Sequence, residues 1–322
     1  MQGALTNWHD STAGLPASLK GGVVAIGNFD GVHLGHRAVL GETLETARAA
    51  SVPALALTFE PHPRTFFRPQ QPVFRLTDAR RKAELLLEAG MEGVVSLAFN
   101  ADFAQLTAQA FIEMHLVKGL EASHVVAGHD FHFGKNRAGT PDLLKRQGRE
   151  HGFGVTLIEP FEDPAHPGEV VSSSRIRSAL GEGDIATANR LLARPFDASG
   201  TVVAGAKLGR TLGYPTANLK LPEETGLRHG IYAVRLRRAD GSLHDGVASY
   251  GRRPTFDNGA PLLETFVFDF ADDLYGEEIA ILFHGWIRPE EKFESAEALV
   301  EQMDRDSLAA RALLAAAAGT AV

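Results

Sequence analysis

The sequence contains no cysteine in 322 residues. Disulfide bonds, thiolate metal sites and a cysteine nucleophile are therefore excluded, and any imidazole chemistry must come from the 13 histidines. An excess of positive charge is also lacking, because 32 Lys and Arg against 40 Asp and Glu give a formal net charge of −8. We therefore expect no nucleic-acid partner and no attraction to an anionic membrane surface.

Long apolar runs are missing as well. No stretch approaches the ~20 residues of a membrane-spanning helix, and residues 1–10 lack the basic start and apolar core of a signal peptide. We expect a cytoplasmic protein without a membrane partner, present as a monomer or weak homo-oligomer. The length exceeds the ~100–200 residues of one domain, and 44% hydrophobic residues suffice for packed cores. Two folded domains are therefore predicted.

From Gly21 to the region of Leu192, short β-branched runs alternate with longer segments whose apolar residues recur at about 3.6 positions. Parallel strands need crossovers of such length, so the pattern predicts an α/β, Rossmann-like domain with a parallel sheet and helices on both faces. The predicted strands are 23–26, 54–59, 94–99, 124–127 and 155–158, and the predicted helices are 37–50, 80–89, 107–120 and 142–151.

After Arg194 the pattern changes to short alternating runs separated by Gly, Asp, Asn and Pro turns. It predicts an antiparallel β-barrel or sandwich followed by one C-terminal helix from about Ser295. The turn dipeptides Asp240-Gly241 and Asn258-Gly259 support this. We assign residues 1–183 to the first domain and 184–322 to the second. Strands of the second domain are predicted at 232–236, 246–250, 264–270 and 278–283.

Residues 27–36, Gly-Asn-Phe-Asp-Gly-Val-His-Leu-Gly-His, follow a predicted strand and open a helix. Glycines let backbone N–H groups approach a phosphate, and a helix N-terminus adds the positive end of a dipole. His33 and His36 would add two imidazole donors from one side of the first turn. A plain strand-to-helix turn with two surface histidines is the alternative. The coincidence of Phe-Asp-Gly with His-x-Gly-His in this context favours an anion site.

These residues resemble a known signature. His-x-Gly-His is typical of the nucleotidyltransferase superfamily, and the full stretch resembles the bacterial bifunctional riboflavin kinase/FAD synthetase family. The resemblance implies that His33 and His36 bind the ATP phosphates and stabilise charge at the α-phosphate. It spans residues 21–306 and implies an adenylyltransferase domain before a six-stranded flavokinase barrel. The other expected phosphate-binding positions of this stretch are Gly27, Asn28, Phe29, Gly31 and Gly35.

Two further segments of the first half match the family and are assigned to flavin. Residues 59–64, Phe-Glu-Pro-His-Pro-Arg, follow a strand at the edge where open α/β sheets bind ligands, although two prolines also fit a rigid turn. Residues 128–134 carry aromatic side chains that could flank a flavin ring. The family more often has Arg where this chain has His132. The expected flavin contacts are Phe59, Pro61, His62, Pro63, Asp130, Phe131 and Phe133.

Residues 172–177, Ser-Ser-Ser-Arg-Ile-Arg, are close to the family pattern Ser-Ser-Thr-Arg-Ile-Arg. By residue type alone the stretch is a serine N-cap on a helix. A helix start that carries two arginines also suits a triphosphate or a departing pyrophosphate. We expect Ser173, Ser174, Arg175 and Arg177 to contact the ATP phosphates.

Residues 205–219 open the second half with glycine at every fourth position, which fits neither a helix face nor a strand face. Thr216 and Asn218 share a face of an extended backbone, where their oxygens could hold Mg²⁺. The stretch resembles the Gly-Arg-x-Leu-Gly-[Phe/Tyr]-Pro-Thr-Ala-Asn signature of riboflavin kinases. The loop positions expected at the ATP phosphates are Gly205, Lys207, Gly209, Arg210 and Gly213.

Residues 264–270 alternate as a strand, which places Glu264 on the face of Phe266, Phe268 and Phe270. A carboxylate beside apolar groups is a candidate general base, and a strand end that reaches solvent is the alternative. The family has Glu-Thr-His here, and the resemblance implies that Glu264 deprotonates the riboflavin 5′-hydroxyl. No imidazole role is carried over to Phe266. Arg288 lies in another family-like segment and is expected at the flavin or ADP.

The prediction is an enzyme that phosphorylates riboflavin to FMN in its C-terminal half and adenylylates FMN to FAD in its N-terminal half. ATP is the co-substrate and Mg²⁺ the cofactor; ADP and pyrophosphate are released respectively. Two alternatives stay open. One is a nucleotidyltransferase for a pantetheine or cytidylyl substrate fused to an unrelated barrel, against which the kinase-like motif argues. The other is a flavin-binding regulator without catalysis, which the departures at His132 and Phe266 leave open.

Overall fold

The computed structural model describes residues 6–204, 213–252 and 261–319. The chain forms two compact units, of which the first ends at Ser173 and the second begins at Ser174. The domain boundary between residues 183 and 184 stays a prediction.

The first unit is built on a six-stranded parallel sheet. Its strands are short, and the central ones are buried on both faces, which explains why they read as continuous apolar runs rather than alternating ones. All five strands predicted in this half are present, and a short strand near the N-terminus adds a sixth. In the order β1-β4-β3-β2-β5-β6, the sheet consists of β1 Trp8–His9, β2 Val23–Ile26, β3 Ala54–Glu60, β4 Gly93–Ala98, β5 His124–Gly128 and β6 Gly154–Ile158.

Helices cover both faces of this sheet, as predicted. One face packs Val24 and Leu57 against Phe111, and the other packs Val23 against Leu40. The helices are α1 Leu34–Ala50, α2 Pro63–Phe67, α3 Ala79–Glu88, α4 Ala101–Ala104, α5 Ala108–Phe111 and α6 Pro141–His151. Short 3₁₀ turns cover Ala17–Leu19 and Lys135–Arg137. A separate hairpin joins β7 Glu162–Asp163 to β8 His166–Val170.

The helix predicted over 107–120 is present but changes type. After α5 it widens into a π-helix over Ile112–Gly119. Apolar periodicity identifies the buried face of a helix but does not specify which carbonyl each N–H reaches, so the sequence could not distinguish the two forms.

The order of the strands fixes where a ligand can bind. The chain moves from β2 to β3 to β4 in one direction and then places β5 on the other side of β2. In open α/β sheets, ligands bind at the carboxyl ends of the strands where the order reverses. The predicted phosphate-binding segment 27–36 and the predicted flavin-binding segments 59–64 and 128–134 lie at the carboxyl ends of β2, β3 and β5, and therefore at this edge.

The second unit is a six-stranded antiparallel sheet with a long C-terminal helix, in agreement with the predicted fold. A bridge between Val203 and Asn218 connects the two ends of the sheet. The strands are β9 Phe196–Thr201, β10 Thr216–Lys220, β11 Gly230–Arg237, β12 Leu243–Arg252, β13 Pro261–Val267 and β14 Glu278–Arg288. Their order in the sheet is β10-β13-β12-β11-β14-β9. The helices are α7 Ser173–Glu182, α8 Ile185–Leu192 and α9 Ala296–Gly319.

One expectation about this unit is wrong. β13 ends at Val267, and Asp269 adopts a positive φ of 53° in the turn that follows. Strand alternation therefore does not continue to Phe268 or Phe270. Phe268 instead packs against α9, in a cluster with Ala310. The burial of this ring by a helix distant in sequence ended the strand earlier than the alternating pattern suggested.

Candidate active sites

The turn after β2 brings the two predicted catalytic histidines together. His33 is the N-cap of α1, and its Nδ1 accepts a hydrogen bond from the His36 backbone N–H at 3.3 Å. The two imidazole rings stack with centroids 3.6 Å apart. Gly35 leaves room for this arrangement, since a Cβ there would lie 3.2 Å from the His33 ring.

The environment of His36 favours the neutral form of its ring. Burial, the neighbouring His33 and the Lys82 ammonium, in that order, hold the pKa of His36 well below its usual value. The Nδ1 atom of His36 is buried and has no hydrogen-bond partner among the described residues. An anion placed against the ring would favour the imidazolium and supply a partner for this nitrogen.

The backbone of this turn is held in an uncommon conformation. Phe29 and Val32 have positive φ angles of 49° and 44°, and both side chains are buried. Such angles are costly for large or β-branched residues and persist only where the surroundings enforce them. The buried carboxylate of Asp30 accepts hydrogen bonds from the backbone N–H groups of Leu76 and Thr77 at 2.9 and 3.2 Å. This support was not predicted from the sequence.

The serine-rich segment reaches the same turn. The Ser173 hydroxyl, at the start of α7, donates to the Asp30 carbonyl at 2.9 Å. Ser174 is exposed and Arg175 and Arg177 are half-buried on the first turn of α7. Ser173 thus joins two motifs that are far apart in the sequence, and the phosphate roles of all four residues stay predictions.

An aromatic cluster lies around the carboxyl end of β3. Phe59 is buried, and its ring centroid lies 5.6 Å from that of Phe103 and 6.3 Å from that of Phe111. Phe131 and Phe133 follow β5 and stack on each other at 5.3 Å. Apolar, aromatic surroundings at this edge suit a flavin ring.

The remaining predicted flavin residues lie on the turns beside this cluster. His62 caps α2, because its Nδ1 accepts from the Arg64 N–H at 3.1 Å, and Pro63 is the first residue of that helix. Asp130 is exposed, and its carbonyl lies 2.7 Å from Nδ1 of the exposed His132. Pro61 is exposed next to His62. The structure places these residues at the sheet edge, and their contact with flavin stays a prediction.

The candidate site of the second unit is formed by β10 and β13. Asn218 is directly opposite Glu264, and Thr216 is opposite Phe266. Cross-strand partners share a face of the sheet, so these four side chains form one patch. Asn218 is buried and its Nδ2 donates to the Thr216 carbonyl at 3.2 Å, whereas its Oδ1 accepts no hydrogen bond from the described residues. An unsatisfied buried amide oxygen beside a hydroxyl and a carboxylate fits a hard cation such as Mg²⁺.

Tyr214 forms the apolar wall of this patch. Its ring centroid lies 4.7 Å from that of Phe266, and its hydroxyl donates to Asp304 on α9. Burial and the carboxylate of Asp304 raise the pKa of Tyr214 to about 12. Gly213 precedes it with a positive φ of 86°. The predicted phosphate-binding residues Gly205, Lys207, Gly209 and Arg210 lie outside the described residues.

A cavity of about 410 Å³ opens beside Thr216. Its walls combine apolar and aromatic side chains with two carboxylates from the segment that follows β13. Arg238 supports this segment, because its guanidinium donates to Asp272 at 3.0 Å and to both carboxylate oxygens of Glu277. The lining includes Phe270, Leu274, Tyr275, Asp272 and Asp273.

Arg288 has a partner within the protein. Its Nε and Nη2 donate to the two carboxylate oxygens of the buried Asp306 at 2.8 and 2.7 Å. This hydrogen-bonded ion pair raises the pKa of Arg288 and fastens β14 to α9. The sequence pattern did not indicate Asp306, and the proposed contact of Arg288 with flavin or ADP stays a prediction.

The described residues contain neither a ready-made metal cluster nor a membrane-spanning helix. Within residues 6–204, 213–252 and 261–319, no three His, Asp or Glu side chains are grouped as a ready-made metal site. Across the same ranges, no helix has the length and apolar character needed to cross a membrane.

Comparisons with known proteins match a different family model to each half of the chain. The family model described as FAD synthetase matches residues 15–175, and the one described as riboflavin kinase matches residues 192–314. A bifunctional riboflavin kinase/FMN adenylyltransferase of Escherichia coli (strain K12) is 41% identical over 295 residues, 92% of this chain and 93% of that protein. One from Pseudomonas fluorescens is 42% identical over 300 residues, 93% and 95% of the two chains.

A solved structure shares the whole fold. The crystal structure of a macrolide-efflux protein from Streptococcus pneumoniae superposes with a TM-score of 0.83 at 31% identity, covering 94% of this chain and 98% of that one. With both family models matched in order and relatives above 40% identity along most of their length, this chain belongs to the family of bifunctional riboflavin kinase/FMN adenylyltransferase enzymes.

Proposed function

We propose that the two units divide the two reactions of this family between them. The first unit transfers the adenylyl group of ATP to FMN and releases pyrophosphate, and the second transfers the γ-phosphoryl group of ATP to riboflavin and releases ADP. The stacked pair of His33 and His36 lies at the edge of the parallel sheet where the strand order reverses, and this position supports the first assignment. The patch around Asn218 and Glu264 supports the second.

In the first unit, an oxygen of the FMN phosphate attacks the α-phosphorus of ATP, and the bond to pyrophosphate breaks. No covalent enzyme intermediate is needed, because this chemistry depends on positioning and on neutralisation of developing charge. His33 and His36 hydrogen-bond to the phosphates, and the anion makes the imidazolium form of His36 favourable. Ser173, the last residue of this unit, hydrogen-bonds to the triphosphate and the departing pyrophosphate.

In the second unit, Glu264 accepts the proton of the riboflavin 5′-hydroxyl while the hydroxyl oxygen attacks the γ-phosphorus of ATP, and the bond from that phosphorus to ADP breaks. Asn218 and Thr216 would hold Mg²⁺, which supplies charge neutralisation to the phosphates when bound. The unsatisfied Oδ1 of Asn218 supports that assignment. The cavity beside Thr216 takes the nucleotide, because its lining includes the apolar and aromatic side chains of Phe270, Leu274 and Tyr275, against which a purine can pack.

We further propose that the enzyme acts in the cytoplasm as a monomer or weak homo-oligomer and has no nucleic-acid or membrane partner. The formal net charge of −8 supports the absence of a polyanionic partner.

One assay tests the proposal. Purified protein is incubated with riboflavin, ATP and Mg²⁺, and riboflavin, FMN and FAD are resolved by chromatography, with pyrophosphate measured when FMN is the substrate. We expect sequential formation of FMN and FAD. Flavin binding without either product would instead identify a regulator, and adenylyl transfer only to a different phosphate-bearing acceptor would identify another nucleotidyltransferase.

A further inference from the structure

Lys82 lies on the buried face of α3, and only 3% of its surface is exposed. Oxygen atoms surround its ammonium group. Its Nζ lies 2.6 Å from a carboxylate oxygen of Glu60, 3.0 Å from the Thr58 hydroxyl, 3.1 Å from the Asn28 carbonyl and 3.3 Å from the Phe59 carbonyl. Lysine is almost never buried unless it is paired, and an ammonium donates three hydrogen bonds and accepts none. The site is built around a cation.

The oxygens come from two segments that lead into different parts of the candidate site. Asn28 belongs to the turn that carries the histidine pair, whereas Thr58 and Glu60 form the end of β3, directly before the Pro-His-Pro turn. The backbone ladder between β2 and β3 reaches Ile26 and Leu57. Beyond it, the Thr58 hydroxyl donates to the Asn28 carbonyl at 3.1 Å and receives a hydrogen bond from Lys82. Side chains therefore continue the connection where the strands separate.

Neutralisation of Glu60 alone does not explain this arrangement. The carboxylate already has a second cation, because Arg75 Nη2 lies 2.7 Å from the same oxygen. What Lys82 adds is the hydrogen bond to Asn28 on the other segment. A buried polar network with all of its members paired fixes one geometry, and partial loss of it leaves polar groups unsatisfied.

We infer that Lys82 is a positioning residue for adenylyl transfer to FMN. It holds the phosphate-binding turn and the flavin-binding turn at one spacing, so that the FMN phosphate meets the α-phosphorus of ATP. The inference rests on the function proposed for this site, and it assigns to Lys82 no contact with either substrate. Loss of the link misaligns two substrates that each still bind. The effect therefore falls on kcat rather than on KM.

The test is Lys82→Met, which keeps the apolar stem and removes the ammonium. We expect kcat for FAD formation from FMN to fall by about 10²-fold, which is the loss of rate expected when the reacting groups are misplaced by about 1 Å. The KM values for ATP and FMN should stay within about threefold, and riboflavin phosphorylation should be unchanged. Rates are expressed per folded protein, determined from circular dichroism at the assay temperature. Lys118→Met is the matched control, since this exposed lysine pairs with Glu113 away from the site.

Thr58→Val provides a second variant of similar shape in case Lys82→Met does not fold. It removes the hydroxyl link to Asn28, and we expect the same division between kcat and KM with a smaller fall of about tenfold. A lowered thermal midpoint with unchanged kcat would overturn the inference and leave Lys82 a structural residue. A raised KM for ATP with unchanged kcat would also overturn it. If the unmodified protein makes no FAD, the proposed function fails first, and this outcome is separate from both.

Discussion

Asn218 and Glu264 are directly opposed partners in the antiparallel ladder of β10 and β13. Opposed side chains have Cβ atoms about 4.5–5.5 Å apart, so an unsatisfied amide oxygen and a candidate general base occupy one small patch. Thr216 and Phe266 complete it. The proposed metal ligand and the proposed general base, which are far apart in the sequence, thus lie side by side on one face of the sheet.

Glu264→Gln tests the base. The amide keeps the size of the side chain but cannot accept the proton as a carboxylate does, so FMN formation should fall by about 10²–10⁴-fold. FAD formation from supplied FMN should be unchanged, because it uses the other unit. Flavin fluorescence in the presence of Mg-ADP measures riboflavin binding separately. Lost binding would make Glu264 a substrate ligand, and an unchanged rate would return it to a solvent-facing strand residue.

Asn218→Ala tests the metal assignment. Removal of the buried Oδ1 should raise the Mg²⁺ concentration needed for half-maximal riboflavin phosphorylation by at least about tenfold, because one oxygen ligand is lost. The Mg²⁺ dependence of FAD formation from FMN provides the internal control and should not change. An unaltered Mg²⁺ requirement of the kinase, with circular dichroism showing a folded protein, would contradict the role of Asn218.

His33→Ala and His36→Ala test the stacked pair. Each substitution removes a donor to the transferring phosphate, and FAD formation should fall by about 10²–10³-fold. Riboflavin phosphorylation is the control and should keep its rate. A double variant that retains normal FAD synthesis would show that the pair only caps and packs α1.

The pH dependence of stability can be predicted for His284 on β14. Burial, reinforced by Arg235, lowers its pKa from 6.5 to about 4. Between these values the unfolded chain binds more protons than the folded one, so this contribution to stability is complete above pH 6.5 and decreases as the pH falls towards 4. His284→Asn removes the titration. Thermal midpoints of both proteins from pH 7.5 to about 4 check this; an equal pH dependence in both would contradict it.

The boundary of the second domain can be tested with fragments. Asn189 on α8 donates to the Phe283 carbonyl at 2.8 Å and accepts from the Phe196 N–H at 2.7 Å. A fragment 184–322 retains these bonds and the buried Ile185, whereas a fragment 191–322 loses them. We expect the longer fragment to phosphorylate riboflavin without making FAD and to unfold at a higher temperature. FAD synthesis by either fragment would contradict the division of the two reactions.

Much of the architecture follows from local sequence. Runs such as Val23–Ile26 are apolar throughout because both faces of a parallel strand are buried, and Gly31 readily adopts the positive φ of 89° that the turn after them contains. Contiguous motifs also indicated the histidine pair and the Thr216–Asn218 patch. The two residues of each motif lie two or three positions apart in the sequence, so the backbone geometry of a turn or a strand fixes how their side chains are arranged.

The contacts between distant segments depended on the tertiary structure. Lys82 looks like an ordinary polar residue on an amphipathic helix, and only the packing of α3 against β3 turns its ammonium towards Glu60 and Asn28. Arg288 similarly looks available for a ligand until α9 brings Asp306 to it. Periodicity identifies which face of an element is buried, whereas the partner of a buried charge is decided by which elements pack together.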